Sequence, residues 1–264
     1  MNATTYLRPT FSQPFPRKLA VFFAFIVLGS PWAALAQDDG EIPFDVANVF
    51  FELNNTDGDL GIHALIDGEP WRKLEIYDIN ESRILVVRNA GRLRRQGLTE
   101  LFFESAEPAF DELSPKQFFR RFPEGIYEVE GLTLDGTEME SESEVTHVMP
   151  APPGNILVSG HLAAEDCDAS LPVVDNPVII DWDPVTTSHP DIGKTAPIEI
   201  VNYQVVVERE EPTPLVFSID LPPNRTRVRV PRELINLGDE FKFEILVREA
   251  SGNQTAVESC FEKG

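Results

Sequence analysis

The feature that most constrains this chain is a two-residue alternation of apolar and polar side chains, repeated along its second half. Four runs show it, with apolar residues at Val178, Ile180 and Trp182; at Tyr203, Val205 and Val207; at Leu215, Phe217, Ile219 and Leu221; and at Phe241, Phe243, Ile245 and Val247. Alternation places every second side chain on one face of a β-strand, so each run can bury one face in a core. Turn-rich segments separate the runs, and no long helical period interrupts them. The second half therefore predicts an antiparallel β-sandwich.

This half resembles a fibronectin type III domain over residues 152–262. The resemblance is carried by Pro152-Pro153, Ile180-Asp-Trp182-Asp-Pro184, Asn202-Tyr-Gln-Val-Val-Val207, Leu221-Pro-Pro223 and the run from Glu240 to Asn253. Two features depart from the family pattern. Phe241 or Phe243 stands where the family usually has a tyrosine, and residues 163–176 lengthen the first connection.

The first half is also rich in strand patterns. An alternating run precedes the polar turn at residues 54–59. The polar turn at residues 78–82 lies between two apolar runs, which predicts a hairpin. Helical pieces are predicted at residues 99–107 and 114–121, the second with Ser114 as its cap and Pro115 at its first position.

The sequence Gly125-Ile-Tyr127 follows that second helical piece. It is similar to the corner of immunoglobulin-like sandwiches, where a tyrosine hydroxyl ties the turn. Prolines and a glycine at residues 149–154 mark a domain boundary. The chain is therefore predicted to be all-β, with two tandem β-sandwich domains. Residues 37–150 are the immunoglobulin-like domain with one or two short helices, and residues 151–264 are the fibronectin type III-like domain.

The first 36 residues have the features of a secretory signal peptide. Arg8, Arg17 and Lys18 precede a short apolar run, and Ala34-Leu-Ala36 gives a small-residue cleavage site. We expect cleavage after Ala36, with no later apolar run long enough to hold the mature chain in a membrane. The predicted location is therefore outside the cytoplasm, in the periplasm or the extracellular space.

The chain has only two cysteines, Cys167 and Cys260. Because an exported chain meets an oxidising compartment, we expect one disulfide between them. Closing a loop of about ninety residues stabilises a fold by about 4 kcal/mol in the chain-entropy model. Unpaired thiols are the alternative.

Charge and motif content exclude several functions. The 22 Lys and Arg residues against 44 Asp and Glu residues give a net charge of −22, which opposes binding to nucleic acid or anionic membranes. The chain has no Gly-x-Ser-x-Gly elbow, no Cys-x-x-Cys and no glycine-rich phosphate loop. Its histidines, at 63, 147, 161 and 189, lack the spacing of a metal-binding pair, so each is expected to be a surface or strand residue. The sequence therefore indicates a protein that is not an enzyme.

Two ladders of charge stand out as candidate partner-binding surfaces. Four carboxylates alternate with other residues on one predicted strand, at Glu138, Glu140, Glu142 and Glu144. Three guanidinium groups alternate in the same way, at Arg225, Arg227 and Arg229. The acidic ladder is expected either to discourage edge-to-edge aggregation or to bind cations or a basic partner. The arginines are expected either to pair with Glu208, Glu210 or Glu244, or to dock an acidic glycan, another subunit or the acidic ladder.

The predicted turn at residues 54–59 offers oxygen ligands at Asn55, Asp57 and Asp59. They are spaced like the start of a calcium loop, but Ile66 stands where an EF-hand requires a bidentate Glu. The only cofactor that the sequence suggests is Ca²⁺, bound at a looser site, and the alternative is an ordinary Asx-rich turn. Four sites fit the N-glycosylation pattern, at Asn54, Asn80, Asn224 and Asn253, and their use is left open.

The function favoured by these observations is an exported, non-catalytic binding or adhesion protein of the cell envelope. It would bind a protein or glycan partner through surface loops and strand faces, in an oligomeric state that the sequence does not define. One alternative is a carbohydrate-binding accessory protein with Trp71, next to Gly68-Glu-Pro70, stacked on sugar. Another is a hydrolase that uses carboxylates of the first domain.

Overall fold

The computed structural model describes residues 40–264, and the predicted signal peptide lies outside this range. Strands predominate throughout. The elements of the first part are β1 Val46–Asn54, β2 Asp59–Tyr77, β3 Arg83–Arg88, α1 Leu93–Gln96, β4 Leu98–Glu104, α2 Pro115–Arg121, β5 Gly125–Thr133, β6 Glu138–Val145 and β7 Val148–Pro150. Those of the second part are β8 Leu157–Val158, β9 His161–Leu162, β10 Val173–Val174, β11 Ile179–Asp181, β12 Ser188–Gly193, β13 Ile200–Arg209, β14 Leu215–Leu221, β15 Arg227–Arg229, α3 Arg232–Ile235, β16 Glu240–Glu249 and β17 Gln254–Lys263. The all-β prediction is confirmed.

One large sheet runs through both parts of the chain. Its strand order is β14-β13-β16-β17-β1-β2-β5-β6, with β3 and β4 beside β2 and β10 beside β17. β1 and β17 pair in parallel, with Glu52 opposite Gln254. The first and last described strands therefore join the two parts edge to edge.

The first core forms because β2 changes partners along its length. Its beginning, up to Asp67, pairs with β1 and β4, and its end pairs with β5 from Trp71 onward and with β3 from Lys73 onward. Trp71 also stands opposite Leu98 of β4. The register shifts between Asp67 and Trp71, so the strand contributes to two layers. Phe51 and Ile62 from one layer and Val129 from the other belong to the same buried cluster. This is a sandwich built around one irregular strand.

The second core lies between the large sheet and a small sheet of order β15-β11-β8-β9. Val158, Ile180 and Val228 of the small sheet are buried in one cluster with Val205 and Phe243 of the large sheet. All four apolar runs recognised in the sequence contribute to this cluster, as expected for a β-sandwich. The division of the chain into domains at residue 150 stays a prediction.

Hydrogen bonds of the Asn253 side chain link the two parts of the chain where they meet. This side chain is buried, and its Oδ1 accepts the Phe51 N–H at 2.8 Å. Its Nδ2 donates to the carbonyls of Thr146 and Val148, each at 2.9 Å. The amide is thus fully used inside the fold, which leaves it unavailable for glycosylation in the folded protein.

Two local predictions for the first part are confirmed. α2 begins at Pro115, and the Gln117 side chain accepts the Ser114 N–H at 3.1 Å in a capping box. The Tyr127 hydroxyl donates to the Pro123 carbonyl at 3.0 Å, as the immunoglobulin-like corner implies.

The helix expected at residues 99–107 is wrong, because this segment forms strand β4 and pairs with β2. Leu101 and Phe103 pack against the first core, whereas Phe102 is exposed. The segment therefore alternates with period two, and its aromatic residues favour a strand.

The expected disulfide is present between Cys167, in the long first connection, and Cys260, on β17. It fixes the connection to the sheet beside β10, which pairs with β17. Among residues 40–264, no helix has the length and apolarity needed to span a membrane.

Candidate functional site

The acidic ladder lies on β6 as the alternation indicates. Glu138, Glu140, Glu142 and Glu144 are exposed, while Met139 and Val145, which alternate with them, are buried. Cross-strand pairing extends this surface onto β5. Glu142 stands opposite Glu128, and Glu140 stands opposite Glu130; both β5 residues are exposed.

These six glutamates form what we call the acidic face. Within residues 40–264, no Lys, Arg or His nitrogen lies within 4.0 Å of any of their carboxylates, whereas the neighbouring Glu75 pairs with Lys73 and Arg83. The pKa of Glu130 is raised, first by partial burial and then by the charges of Glu75 and Glu128, although the charge of Lys73 opposes this effect. The acidic face is therefore a concentrated negative surface whose carboxylates form no ion pair within residues 40–264.

The arginine ladder is shorter than predicted. Arg225 lies in the turn before β15, where its N–H bonds to the Pro222 carbonyl, and only Arg227 and Arg229 lie on the strand. All three side chains are exposed, and the alternating Val228 is buried.

The predicted pairing of this ladder with glutamates is wrong. β15 belongs to the small sheet, where Arg227 stands opposite Asp181, whereas Glu208 and Glu244 lie on strands of the large sheet. In the described part of the chain the three arginines make no ion pair, with the acidic face or with any other carboxylate.

The predicted calcium turn is organised by a residue outside the proposed ligand set. The Asn54 Oδ1 accepts the N–H groups of Thr56 and Asp57, which makes an Asx turn. Asn55 is drawn away from this turn, because its Oδ1 lies 3.1 Å from the His189 Nε2. Asp59 is half-buried, and burial, with Glu107 and Asp57 nearby, raises its pKa to about 7. Calcium binding by Asn55, Asp57 and Asp59 stays a prediction.

Trp71 is not available for sugar stacking. It is fully buried in the first core, although its position after Pro70 suggested an exposed loop. β2 continues through this segment because its register shifts there, and a proline is tolerated at such an irregularity. Trp182 is buried as predicted.

A second polar region was not recognised in the sequence. It lies on the outer face of the large sheet, where β16, β17, β1, β2 and β4 adjoin, and we call it the polar seam. Its members are Lys242, Glu244, Arg248, Gln254, Glu258, Glu52, His63, Glu104 and Glu107. Unlike the acidic face, this region consists of buried and half-buried side chains.

His63 is the centre of the polar seam. Only 1% of its surface is exposed, and its ring contacts Phe50 and Phe102 with centroid distances of 5.4 and 6.1 Å. Its Nε2 lies 2.9 Å from the Glu107 Oε1, and its Nδ1 lies 3.6 Å from the Glu52 Oε2. Burial lowers the pKa of His63, although Glu52 and Glu104 oppose this effect. Burial therefore disfavours the charged form of the imidazole.

A chain of hydrogen bonds supports the Glu52 side of His63. The Gln254 Nε2 donates to the Glu52 carboxylate. The Gln254 Oε1 in turn accepts from Nε and Nη2 of Arg248, at 2.9 and 2.7 Å. Burial raises the pKa of Glu52 and lowers that of Arg248. The amide thus connects two ionisable groups that burial disfavours as charges.

Glu107 reaches His63 from the segment that follows β4. This segment stays beside β2, since Ser105 N–H bonds to the Ile62 carbonyl. The Glu107 side chain lies over Gly61, where an added Cβ would come within 2.8 Å of its Cγ. Burial raises the pKa of Glu107 to about 7. The missing side chain of Gly61 is therefore what lets Glu107 approach the ring.

His63, Glu104 and Glu107 form a group of metal-ligating type. One ligand atom from each residue lies within 4.8 Å of the other two. His63 and Glu104 are opposite each other in the β2–β4 register, so the sheet itself places them together. The spacing of residues 63, 104 and 107 matches no metal-binding motif. The only sign of this group in the sequence was that Glu104 and Glu107 lie three residues apart.

Comparison with known proteins gives no family for this chain. No family model matches it, and no curated protein matches it. Among solved structures, a bacterial ice-binding adhesin is 12% identical to this chain. The match covers 84% of this chain and 65% of the adhesin chain, with a TM-score of 0.24. A two-domain fibronectin type III segment of chicken tenascin is 10% identical, with coverages of 83% and 98% and a TM-score of 0.26. The FN1–FN3 domains of chicken CNTN1 are 11% identical, with coverages of 84% and 69% and a TM-score of 0.28.

Fibronectin type III structures are thus among those similar to this chain. The strand pairing and the two cores described above establish the β-sandwich organisation.

Proposed function

We propose that this protein is an exported, non-catalytic binding protein of the cell envelope that binds a basic protein surface through its acidic face. The observation that carries the proposal is the surface of six exposed glutamates on β5 and β6, none of which forms an ion pair within the described residues. Like charges on adjacent strands destabilise a sheet, so such a surface has a cost that a partner would offset.

Protection of a sheet edge explains the acidic face less well than partner binding does. The first residues of β6 already have a backbone neighbour, because Ile42 bonds to the Glu138 carbonyl and to the Glu140 N–H, each at 3.0 Å. The Phe44 N–H also donates to the Ser141 Oγ at 3.0 Å. Since this edge is partly covered, four further carboxylates beside it are not needed to prevent edge-to-edge pairing.

The test compares two charge-matched variants of the exported chain. One carries Gln at 138, 140, 142 and 144. The control carries Gln at four exposed glutamates outside the acidic face, at 165, 210, 211 and 233. Each chain is immobilised and incubated with the host's envelope fraction, and the proteins retained by the wild type are quantified. We expect a basic protein that the first variant loses and the control retains; equal retention by both variants would refute the proposal.

A second candidate partner is an acidic glycan bound by the arginine ladder. It is supported by three exposed guanidinium groups that lack an ion pair within residues 40–264, on a strongly negative protein. Heparin is a suitable probe, with Arg227→Gln as the variant and Arg232→Gln, exposed on α3, as the control. Binding of heparin that Arg232→Gln weakens as much as Arg227→Gln does would contradict this candidate.

A further inference from the structure

The donor set around His63 suits a particular class of cation. One imidazole nitrogen and two carboxylates are ligands that Zn²⁺ and related transition metals accept, whereas Ca²⁺ and Mg²⁺ take oxygen ligands. Four ligands at about 2.1 Å in a tetrahedron lie about 3.4 Å from each other. The three ligand atoms already lie within 4.8 Å of one another, so small side-chain movements reach that geometry. Among the described residues this is the one such group of three His, Cys, Asp or Glu side chains.

The surroundings of His63 place a carboxylate near its second ring nitrogen. A ligating imidazole usually donates its second N–H to a carboxylate, which fixes the ring and its tautomer. The His63 Nδ1 has no hydrogen-bond partner among the described residues, and the Glu52 Oε2 lies 3.6 Å from it. Gln254 holds Glu52 in place. Nε2 then faces Glu107 on the other side of the ring.

Strands position three of these groups, and packing against Gly61 positions the fourth. His63 and Glu52 project from paired strands of one hairpin, and Glu104 ends the adjacent strand. Glu107 is packed on Gly61 with no space for a Cβ between them. Sites on strands are more precise than sites on loops. His63 is buried, and Glu104 and Glu107 are half-buried.

We propose that His63, through Nε2, together with Glu104 and Glu107, binds a divalent transition-metal ion of the zinc class, and that Glu52 orients the imidazole. The ion would connect the β1–β2 hairpin to β4 and the segment that follows it. This site is separate from the acidic face. A test of metal binding therefore does not depend on the proposed partner.

The experiment measures Zn²⁺ affinity of the exported chain after chelation, by competition with a chromophoric chelator. Co²⁺ absorption reports the coordination number in the same protein. Glu107→Gln removes a ligand while keeping side-chain size, and Glu52→Gln tests the orienting role. The matched controls are His161→Gln, which removes an exposed histidine on β9, and Glu142→Gln on the acidic face. Circular dichroism verifies that each variant is folded.

We expect one Zn²⁺ per chain, weakened by well over tenfold in Glu107→Gln, by about tenfold in Glu52→Gln and not at all in the controls. Co²⁺ should give the intense visible bands of a four-coordinate site. Three results would each overturn the proposal: no stoichiometric Zn²⁺ binding, Ca²⁺ bound as tightly as Zn²⁺, or controls that weaken binding as much as Glu107→Gln does.

Discussion

The acidic face and the polar seam are both built of glutamates on strands of one sheet, yet their surroundings are opposite. On the acidic face the carboxylates are exposed and form no ion pair in the described chain. In the polar seam, Glu52 is buried beside His63 and hydrogen-bonded to Gln254. The presence of a charged residue on a strand therefore does not define its role. Whether it serves recognition or internal structure depends on what covers that face of the sheet.

The largest effect is expected from Gln254→Ala, in the polar seam. The change leaves Glu52 and Arg248 buried without their common partner, and we expect a loss of about 3 kcal/mol in the free energy of unfolding. Gln204→Ala is the control, since Gln204 is half-buried on the same sheet and bonds only to Ser218 at 3.3 Å. Chemical denaturation measures both. Equal losses would remove the distinction between the two regions.

Gly61→Ala should have the next largest effect. The new Cβ would overlap the Glu107 side chain, so the carboxylate must leave His63, and we expect a loss of about 2 kcal/mol. Gly154→Ala is the control, because nothing lies within 4 Å of the Cβ position there. If both variants melt at the same temperature, Glu107 does not depend on the space above Gly61.

The pH dependence of stability in Glu244→Gln tests the comparison between the polar seam and the acidic face further. Burial, followed by the charges of Glu52 and Glu258, raises the pKa of Glu244 well above 4.5. A raised carboxyl pKa means that ionisation destabilises the folded state as pH rises from the ordinary value through the raised one. The variant should therefore melt about 2 °C higher than the wild type at pH 8, with no gain below pH 4.5. A gain that is the same at both pH values would show that charge is not its cause.

The smallest effect on stability is expected from the variant with Gln at 138, 140, 142 and 144. These side chains are exposed and have no ion pair in the described chain to lose, so each change should alter stability by less than about 0.5 kcal/mol. Relief of repulsion should make the variant slightly more stable at low salt, and this difference should vanish at 1 M salt. Thermal melts at the two salt concentrations measure it. A large loss would mean that the acidic face is structural.

Local alternation was sufficient to predict the four glutamates of β6, whereas Glu128 and Glu130 join the acidic face only through the pairing of β5 with β6. Glu138 to Glu144 are consecutive on one strand, and the period of two assigns their face without any knowledge of the fold. The corner tyrosine and the capped α2 were predictable for the same reason, since each involves residues within four positions of each other.

The polar seam could not be predicted in this way. Gln254 and Glu52 are 202 residues apart, and they meet only because β1 and β17 pair. His63 and Glu107 are 44 residues apart and depend on β4, a segment whose sequence had suggested a helix. Trp71 shows the same limit, because the proline before it indicated a loop while the register shift of β2 buries it. Pairing partners, and not local patterns, decide these positions.

The most direct test of the acidic face as the binding surface is photo-cross-linking in the living host. A photoreactive residue replaces Glu142 in one strain and the exposed Glu211 in another. If the acidic face binds a partner, illumination gives a discrete adduct from position 142 and none from position 211. Adducts of equal yield from both positions, or from position 211 alone, would contradict this account.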